Sequence, residues 1–213
     1  MTLSVDFSDL AVGEAVSFGH YEQDADETNG KEPIEWTVLD INDEKVTLIS
    51  RYILDRQFYN SPNTKSDWEN CSLRYWLNHD FLKAAFTKGE QSLMETATVP
   101  ADPNPEYTSV DPGNETQDKV YLLSIDEATR YMSSDFARVA ESTPWAQKNG
   151  ASEGAGSWWL RTPGKQDDYA AYVNSVGTID ADGDIIHYKS VRKAGESVRP
   201  VIVLRMPSGN AES

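Results

Sequence analysis

The chain has almost no cysteine. Cys71 is the only one in 213 residues. An internal disulfide needs two thiols and a thiolate metal cluster needs several, so the sequence excludes both. This cysteine usage is typical of a protein that folds in a reducing compartment.

Basic residues are also scarce. The chain has 19 lysines and arginines against 35 aspartates and glutamates, which gives a net charge of −16. Nucleic acids and anionic membrane surfaces are bound by clustered basic side chains. We therefore expect no nucleic-acid partner, and we attribute the acidity mainly to solubility.

Long apolar runs are missing as well. No run approaches the roughly 18 residues that span a bilayer. Met1–Leu10 has neither the basic start nor the apolar stretch of a secretory signal peptide. We therefore expect no membrane insertion and, by default, cytoplasmic residence. A protein carried in a phage particle or displayed on a surface would have the same features.

Tryptophan and tyrosine, in contrast, are plentiful, with 6 and 10 residues. The most informative segment is the Trp-Trp-Leu-Arg-Thr-Pro-Gly run at 158–164, which is followed later by a strand-like Val-Arg-Pro-Val-Ile-Val-Leu run at 198–204. Successive side chains of a strand face opposite sides, so two adjacent indoles cannot share one core. We expect Trp158 to pack inside, and Trp159 to lie under a loop layer or at a binding surface.

Strand and helix patterns follow one another along the first two thirds of the chain. Gly13–Tyr21 alternates as a strand does, and Ile34–Leu39 with Val46–Ile49 predicts a β-hairpin. Apolar spacings of three and four predict a helix over Trp68–Phe86, with a bend at Asn78–Asp80. The other predicted elements are an acidic loop at 23–33, a short helix at 89–94, a loop at 100–118, a strand at 120–123 and a helix at 124–132 that opens with a Ser-Ile-Asp-Glu capping box.

The last fifty residues are dense in strands. Val176-Gly177 and Asp182-Gly183 are predicted turns, and Asp-Gly is a favoured hairpin dipeptide. We predict one α+β domain over residues 12–204, between an N-terminal extension (1–11) and a C-terminal tail (205–213), with long loops between its elements. The strands predicted for this region lie at 157–161, 169–175, 177–181, 184–189 and 197–204.

Several separate runs resemble the DUF6273 family of bacterial and phage proteins. The resemblance covers residues 12–204, and its motifs occur in the same order, which makes it specific. No activity is assigned to that family, so the resemblance implies membership and no reaction. The runs that carry it are Val16–Gln23, Ile34–Leu39, Trp68–Asn78, Tyr121–Ala128, Trp158–Arg161 and Val198–Pro200.

The same pattern is similar, more distantly, to C-type-lectin-like domains and formylglycine-generating enzymes. The shared part is a Trp-rich strand, then short strands and a closing strand with an arginine. This resemblance implies two small antiparallel sheets flanked by two helices, with a binding face built from the late loops.

Nucleophilic catalysis by Cys71 is not supported. A cysteine–histidine pair would need Cys71 beside His20, His79 or His187. If residues 71–79 are helical, Cys71 and His79 lie about 12 Å apart at about 1.5 Å per residue, too far for a hydrogen bond. The enzymes of the distant resemblance use a pair of cysteines, which this chain lacks. We assign no catalytic residue and expect Cys71 to be buried and structural.

The run Asp-Ala-Asp-Gly-Asp at 180–184 is similar to the start of a calcium-binding loop. A helix–loop–helix calcium site needs glycine at its sixth position and glutamate at its twelfth. Here those positions hold Ile185 and Val191. We interpret the run as a hairpin turn and predict no metal and no cofactor, while a calcium site built from separated carboxylates stays an open alternative.

Arg161 and Arg199 stand in predicted strands beside apolar neighbours. Either guanidinium could hold a ligand carboxylate, since its fork of donors suits that geometry. The alternative is an arginine at the edge of the core that bonds an acid or loop carbonyls. We favour this structural role for both, as for Trp158 and Trp76.

The segment from Asp167 to Tyr188 is the predicted binding surface. Tyrosine offers a large contact area with little rotamer entropy to lose, and Asn and Asp add adaptable hydrogen bonds. Ordinary exposed hairpins have the same composition, so the two interpretations stand side by side. With Trp159, the predicted ligand-binding residues are Asp168, Tyr169, Tyr172, Asn174, Asp180, Asp182, His187 and Tyr188.

These features favour a non-enzymatic binding module that recognises a protein or a glycan through its late strands and loops. One form of this hypothesis is a receptor diversified by adenine-directed mutagenesis, or a phage or bacterial surface protein. The alternatives are a metal-dependent enzyme that uses acidic loop residues and a structural domain of a larger assembly.

Overall fold

The computed structural model describes residues 10–42, 44–61, 65–185 and 196–206. Within these ranges the chain is of the α+β class, with short strands and short helices. The strands are β1 (Ala15–Tyr21), β2 (Glu32–Asn42), β3 (Lys45–Ser50), β4 (Asp55–Arg56), β5 (Ala97–Val99), β6 (Thr116–Asp118), β7 (Val120–Tyr121), β8 (Trp158–Pro163), β9 (Tyr169–Val173), β10 (Ile179–Ile185), β11 (Ser197–Val198) and β12 (Val201–Arg205).

The first sheet has the strand order β1-β2-β3-β12-β7, and every pair in it is antiparallel. The predicted β2–β3 hairpin is confirmed. Gly19 in β1 has a φ of +71°, and a Cβ at this position would lie 2.5 Å from the Phe86 ring. Glycine therefore allows the bulge in β1 and lets the Phe86 ring pack against the strand, 5.5 Å from the Phe18 ring.

The second sheet has the order β10-β9-β8-β11-β4, with β8 in the middle. The expectation of purely antiparallel sheets is wrong here, because β8 and β11 are parallel while the other pairs are antiparallel. A third sheet consists of β5 and β6 alone. All six side chains of β8 are buried, so both faces of this strand are covered. The Trp158 indole donates to the Arg138 carbonyl at 3.2 Å, whereas the Trp159 indole donates to the Gln57 carbonyl at 3.1 Å. The two indoles thus pack in different layers, as the strand alternation predicted.

One run of chain links the two sheets. Sequence alternation predicted a single strand over 197–204, but the structure divides it: β11 belongs to the second sheet and β12 to the first. The break falls at Arg199-Pro200, and proline has no N–H with which to continue a ladder. The crossover is held on both sides, because the Leu54 amide donates to the Val198 carbonyl at 3.1 Å and the Ser50 amide to the Pro200 carbonyl at 2.9 Å.

The helix predicted over Trp68–Phe86 begins later and is interrupted. Cys71 caps its N-terminus, since the Cys71 sulfur accepts a hydrogen bond from the Arg74 amide at 3.4 Å. The predicted bend at Asn78–Asp80 falls in the π-helical turn. In order, this stretch consists of α1 (Ser72–Trp76), the π-helical turn (Leu77–Phe81) and α2 (Leu82–Ala85).

Shorter helices complete the described part of the fold. The helices predicted at 89–94 and 124–132 are confirmed, and the Ser124–Glu127 capping box is present as expected. The resemblance implied two main helices, whereas the structure adds further short ones. The remaining helices are α3 (Lys88–Leu93), α4 (Ile125–Tyr131), α5 (Asp135–Arg138) and α6 (Pro144–Lys148). No helix of the described ranges is long and apolar enough to cross a membrane.

The predicted Asp182-Gly183 hairpin turn is wrong. The two strands predicted on either side of it are one strand, β10, whose pairing with β9 shifts register between Asp180 and Asp184. Gly183 has a φ of +78°, and a Cβ there would lie 2.4 Å from the Ala170 carbonyl oxygen. The left-handed backbone that suits a turn is used here in a bulge. Residues 186–189 lie outside the described ranges.

Arg161 anchors the long loop between β5 and β6 to the core. Its side chain is 2% exposed and forms ion pairs with Asp102 of the loop, at 2.6 Å, and with Glu127 of α4. It also donates to the Pro100 carbonyl at 3.1 Å and the Leu122 carbonyl at 2.9 Å. The predicted loop is shorter than expected, because its last three residues form β6.

We predict that Arg161→Met lowers the free energy of unfolding by about 3–5 kcal/mol, because two carboxylates then lose a buried partner. The matched control is Arg205→Met. Arg205 also pairs with a carboxylate, that of Glu95, but its side chain is 59% exposed, so the loss should stay below about 1 kcal/mol. Urea denaturation measures both variants, and equal losses would contradict a special role for Arg161.

Candidate functional site

A cavity of about 640 Å³ opens between the first sheet and the segment that carries α4 and α5. We call it the apolar cavity. Its floor contains buried side chains, among them Leu39, Ile49, Met132 and Arg199. Ligand sites in proteins usually have volumes of this order and largely apolar walls.

Two apolar side chains on the wall of this cavity are strongly exposed. Phe136 of α5 is 89% exposed and Val12 is 63% exposed. The short α5 is nevertheless fixed, because the buried Arg138 donates to the Gly177 carbonyl at 2.8 Å and to the Met132 carbonyl at 2.5 Å. Phe136 is therefore held outward by an anchored turn.

A second cavity of about 340 Å³ adjoins the first, and Tyr52 and Glu141 line both. We call it the acidic cavity, because the carboxylates of Asp24, Glu32, Glu35 and Glu141 line it. Together the two cavities form one groove with an apolar end and an acidic end, which we call the amphipathic groove.

The carboxylates of the acidic end differ in their pairing. Glu35 forms an ion pair with Arg51 at 3.0 Å. Glu141 is exposed, and no lysine or arginine of the described ranges pairs with it. Ser142, which is 6% exposed, has a buried hydroxyl without a hydrogen-bond partner in the described part of the molecule. The exposed Glu141 carboxylate is thus the free charge at this end of the groove, whereas the Ser142 hydroxyl is enclosed beside Gly156.

A cluster of three carboxylates lies beside the acidic end. Glu22, Asp24 and Glu32 bring ligand oxygens within 4.8 Å of one another, a spacing that a single metal ion can bridge. No sequence motif predicted this group. Its members are close in sequence, but only the turn between β1 and β2 brings Glu32 back beside Glu22.

The structure does not place Trp159 on a binding surface. Its side chain has no exposed area, and the ring of Tyr59 covers it at a centroid distance of 5.5 Å. Of the two places expected for Trp159, under a loop layer or at a binding surface, the structure shows the first, since the loop residues 57–59 cover the indole. We therefore assign Trp159 to the core rather than to ligand binding.

Several predicted binding residues are occupied by bonds within the chain. The Asn174 side chain accepts from the Val176 and Thr178 amides, at 3.1 and 3.0 Å, and so shapes the turn after β9. Asp180 accepts from the Tyr172 hydroxyl at 3.0 Å. Asp182 accepts from Lys165 at 3.0 Å and from the Tyr107 hydroxyl.

The remaining predicted residues give a partial surface. Tyr169 and Tyr172 are half-buried on β9, and Asp168 precedes them in an intermediate position. His187 and Tyr188 lie outside the described residues. The described part of the predicted surface therefore lies at the β9–β10 edge of the second sheet, and Tyr169 and Tyr172 provide most of its contact area.

Arg199 and Trp76 have the contacts of structural residues. The Arg199 guanidinium lies 5.2 Å from the Trp158 ring centre and donates to the Ser50 carbonyl at 2.9 Å. Burial lowers the pKa of Arg199 to about 10, so it still carries a charge at neutral pH. The Trp76 ring packs 5.5 Å from that of Phe81.

Cys71 is buried, as predicted, and burial raises the pKa of its thiol to about 12. The thiolate that a nucleophile needs is thus disfavoured. The His79 ring stacks on the Tyr75 ring at a centroid distance of 3.9 Å and is hydrogen-bonded to the Tyr75 carbonyl, so its contacts are with Tyr75. The described residues therefore hold no cysteine–histidine pair between Cys71 and His79.

A family model described as a domain of unknown function, DUF6273, matches residues 43–206. The chain belongs to the DUF6273 family. The match begins at the turn between β2 and β3, yet β1 and β2 pair with the rest of the first sheet and line the amphipathic groove. No curated protein and no solved structure matches the chain.

We predict that Cys71 of the native DUF6273 domain resists alkylation by iodoacetamide near neutral pH. Its thiol is buried and protonated, so the reaction must wait for unfolding. Mass spectrometry over a urea series should show labelling that follows the unfolding transition. Rapid labelling in the absence of urea would contradict the buried, structural assignment.

Proposed function

We propose that this DUF6273 domain is a non-enzymatic binding module that recognises a protein segment with apolar side chains next to a basic residue. The observation that carries the proposal is the amphipathic groove, in which an apolar and an acidic cavity meet at Tyr52 and Glu141. The apolar end complements an apolar side chain of the partner and the acidic end complements a basic one, at the separation that the groove fixes.

The apolar end favours aliphatic or aromatic side chains of a partner. Phe136 and Val12 expose apolar area to water at the cavity wall, and covering them would contribute about 25 cal/mol per Å². Because Arg138 fixes α5, little conformational entropy is lost when a partner covers Phe136. Exposed apolar side chains that line one concave surface are typical of an interaction site.

The acidic end favours a lysine or arginine. Glu141 is exposed and forms no ion pair within the described residues, and the net charge of −16 attracts cationic partners from a distance. A basic side chain beside an apolar cluster therefore complements this groove better than an uncharged sugar does.

The second candidate is a binding module that recognises its partner through the late strands β9 and β10 instead of the groove. It is supported by the half-buried tyrosines Tyr169 and Tyr172 beside the edge strand β10. With this candidate we also propose that the domain has a C-type-lectin-like scaffold and that it is a diversified receptor. Such a receptor would reside in the cytoplasm or in a phage particle. The α+β class and the two five-stranded sheets support the scaffold in outline.

A display library of random peptides tests the specificity without a known partner. We expect the unmodified domain to enrich peptides with a lysine or arginine next to apolar residues. Glu141→Lys should instead enrich an aspartate or glutamate at that position, because the charge of the groove is reversed. The control is Glu115→Lys, an equal change at an exposed residue outside the groove, which should select the original consensus.

An unchanged consensus for Glu141→Lys would contradict the placement of the acidic end. No enrichment by the unmodified domain, together with binding on a glycan array, would overturn the protein-segment proposal in favour of a glycan ligand.

Two substitutions separate the groove from the late strands. With an enriched peptide as the probe, Phe136→Ser should weaken binding by about tenfold or more, since exposed aromatic residues often dominate an interface. Its unfolding free energy should change by less than about 0.5 kcal/mol, because the ring packs against little. The double variant Tyr169→Ala with Tyr172→Ala should bind normally, and the opposite pattern would move the site to the late strands.

A further inference from the structure

Glu22 is a buried carboxylate with an unused oxygen. The residue is 8% exposed, and its Oε1 atom has no hydrogen-bond partner in the described part of the molecule. A buried charge normally has a counter-charge or a metal ion beside it. Glu22 instead has two further carboxylates as neighbours, those of Asp24 and Glu32.

The three carboxylates lie at the spacing of ligands that share one ion. Their oxygens lie within 4.8 Å of one another, and two oxygens on opposite sides of a calcium ion are separated by about twice the roughly 2.4 Å metal–oxygen distance. No lysine or arginine of the described ranges forms an ion pair with any of them. The nearby Lys148 pairs with Glu27 at 2.9 Å.

Hydrogen bonds hold two of these carboxylates in place. Asp24 accepts from the Asp26 amide at 2.8 Å and from the Asn29 side chain at 2.7 Å. Glu32 accepts from the Gln23 amide through Oε2 at 2.7 Å. Each carboxylate keeps lone pairs beyond these bonds, so the ligands are oriented without being saturated.

The loop that carries the cluster is anchored at a second point. The Trp145 amide of α6 donates to the Gln23 carbonyl at 2.9 Å, and Lys148 of the same helix pairs with Glu27. Because the loop is anchored at these contacts, it cannot move the three carboxylates apart to relieve their repulsion.

We propose that Glu22, Asp24 and Glu32 bind a divalent calcium ion. All three ligands are carboxylates, and hard oxygen ligands favour calcium over zinc or copper, which prefer nitrogen and sulfur. The ion supplies the missing counter-charge for Glu22 and joins the loop after β1 to the first residue of β2. This goes beyond the binding of a protein segment, because it concerns an ion and the stability of the loop.

Thermal unfolding of the chelator-treated domain, with and without calcium chloride, tests the site. At about 100 times the dissociation constant, we expect the melting temperature to rise by roughly 5–10 °C. Sodium chloride at equal ionic strength is the control for screening and should produce a smaller rise. The measurement contains no peptide, so its result is independent of whether the amphipathic groove binds one.

Two variants test the ligands. Glu22→Gln and Glu32→Gln keep the shape and the hydrogen-bond acceptor but remove one charge, and each should abolish the calcium-dependent rise. Without calcium, Glu22→Gln should melt at a higher temperature than the unmodified chain, because like-charge repulsion is reduced. The matched control Glu115→Gln changes an exposed carboxylate outside the cluster and should keep the full calcium response.

Isothermal titration calorimetry of the same proteins gives the binding directly. One calcium ion bound by the unmodified chain and by Glu115→Gln, and none by the two cluster variants, is the expected result. No calcium response in the unmodified chain, or an equal response in Glu22→Gln and Glu32→Gln, would overturn the proposal.

Discussion

The structure depends on the crossover of the chain at Arg199-Pro200, where the second sheet continues into the first. A buried guanidinium at this point has no carboxylate partner in the described residues, so its desolvation must be offset in other ways. The Trp158 ring supplies a π face and the Ser50 carbonyl supplies an acceptor. These contacts hold the chain where β11 of the second sheet continues into β12 of the first.

The amphipathic groove follows from this crossover. Arg199 and Ile49 lie in the floor of the apolar cavity, where Arg199 is part of the crossover and Ile49 pairs with Val201 directly after it. The segment of α4 and α5 forms the opposite wall, and Arg138 ties it to the turn after β9. An apolar rim and an acidic end are then left open to solvent, in a chain whose charge already favours basic partners.

Local patterns predicted most elements but not how they combine. The β2–β3 hairpin and the Ser124 capping box were predictable because both depend on residues a few positions apart. The Asp182-Gly183 turn failed because a positive φ serves a bulge as well as it serves a hairpin. The division of 197–204 between two sheets depends on partners distant in sequence, which alternation does not report.

The candidate site was harder to predict than the fold. Val12, Tyr52 and the segment from Phe136 to Glu141 are far apart in sequence and share no motif, so only the folded chain brings them to one groove. The tyrosine-rich late strands were a local compositional signal, and the structure shows that several of their polar partners are used within the chain. The buried Glu22 had a weak signal, since an acid follows the alternating strand β1 directly.

The most direct test of the central claim, that the amphipathic groove is the binding surface, is an NMR titration of the ¹⁵N-labelled domain with a library-selected peptide. We predict that the largest amide shift changes fall at Val12, Tyr52, Phe136 and Glu141, with little change at Tyr169 and Tyr172. Shift changes confined to β9 and β10 would contradict the account and place recognition on the late strands.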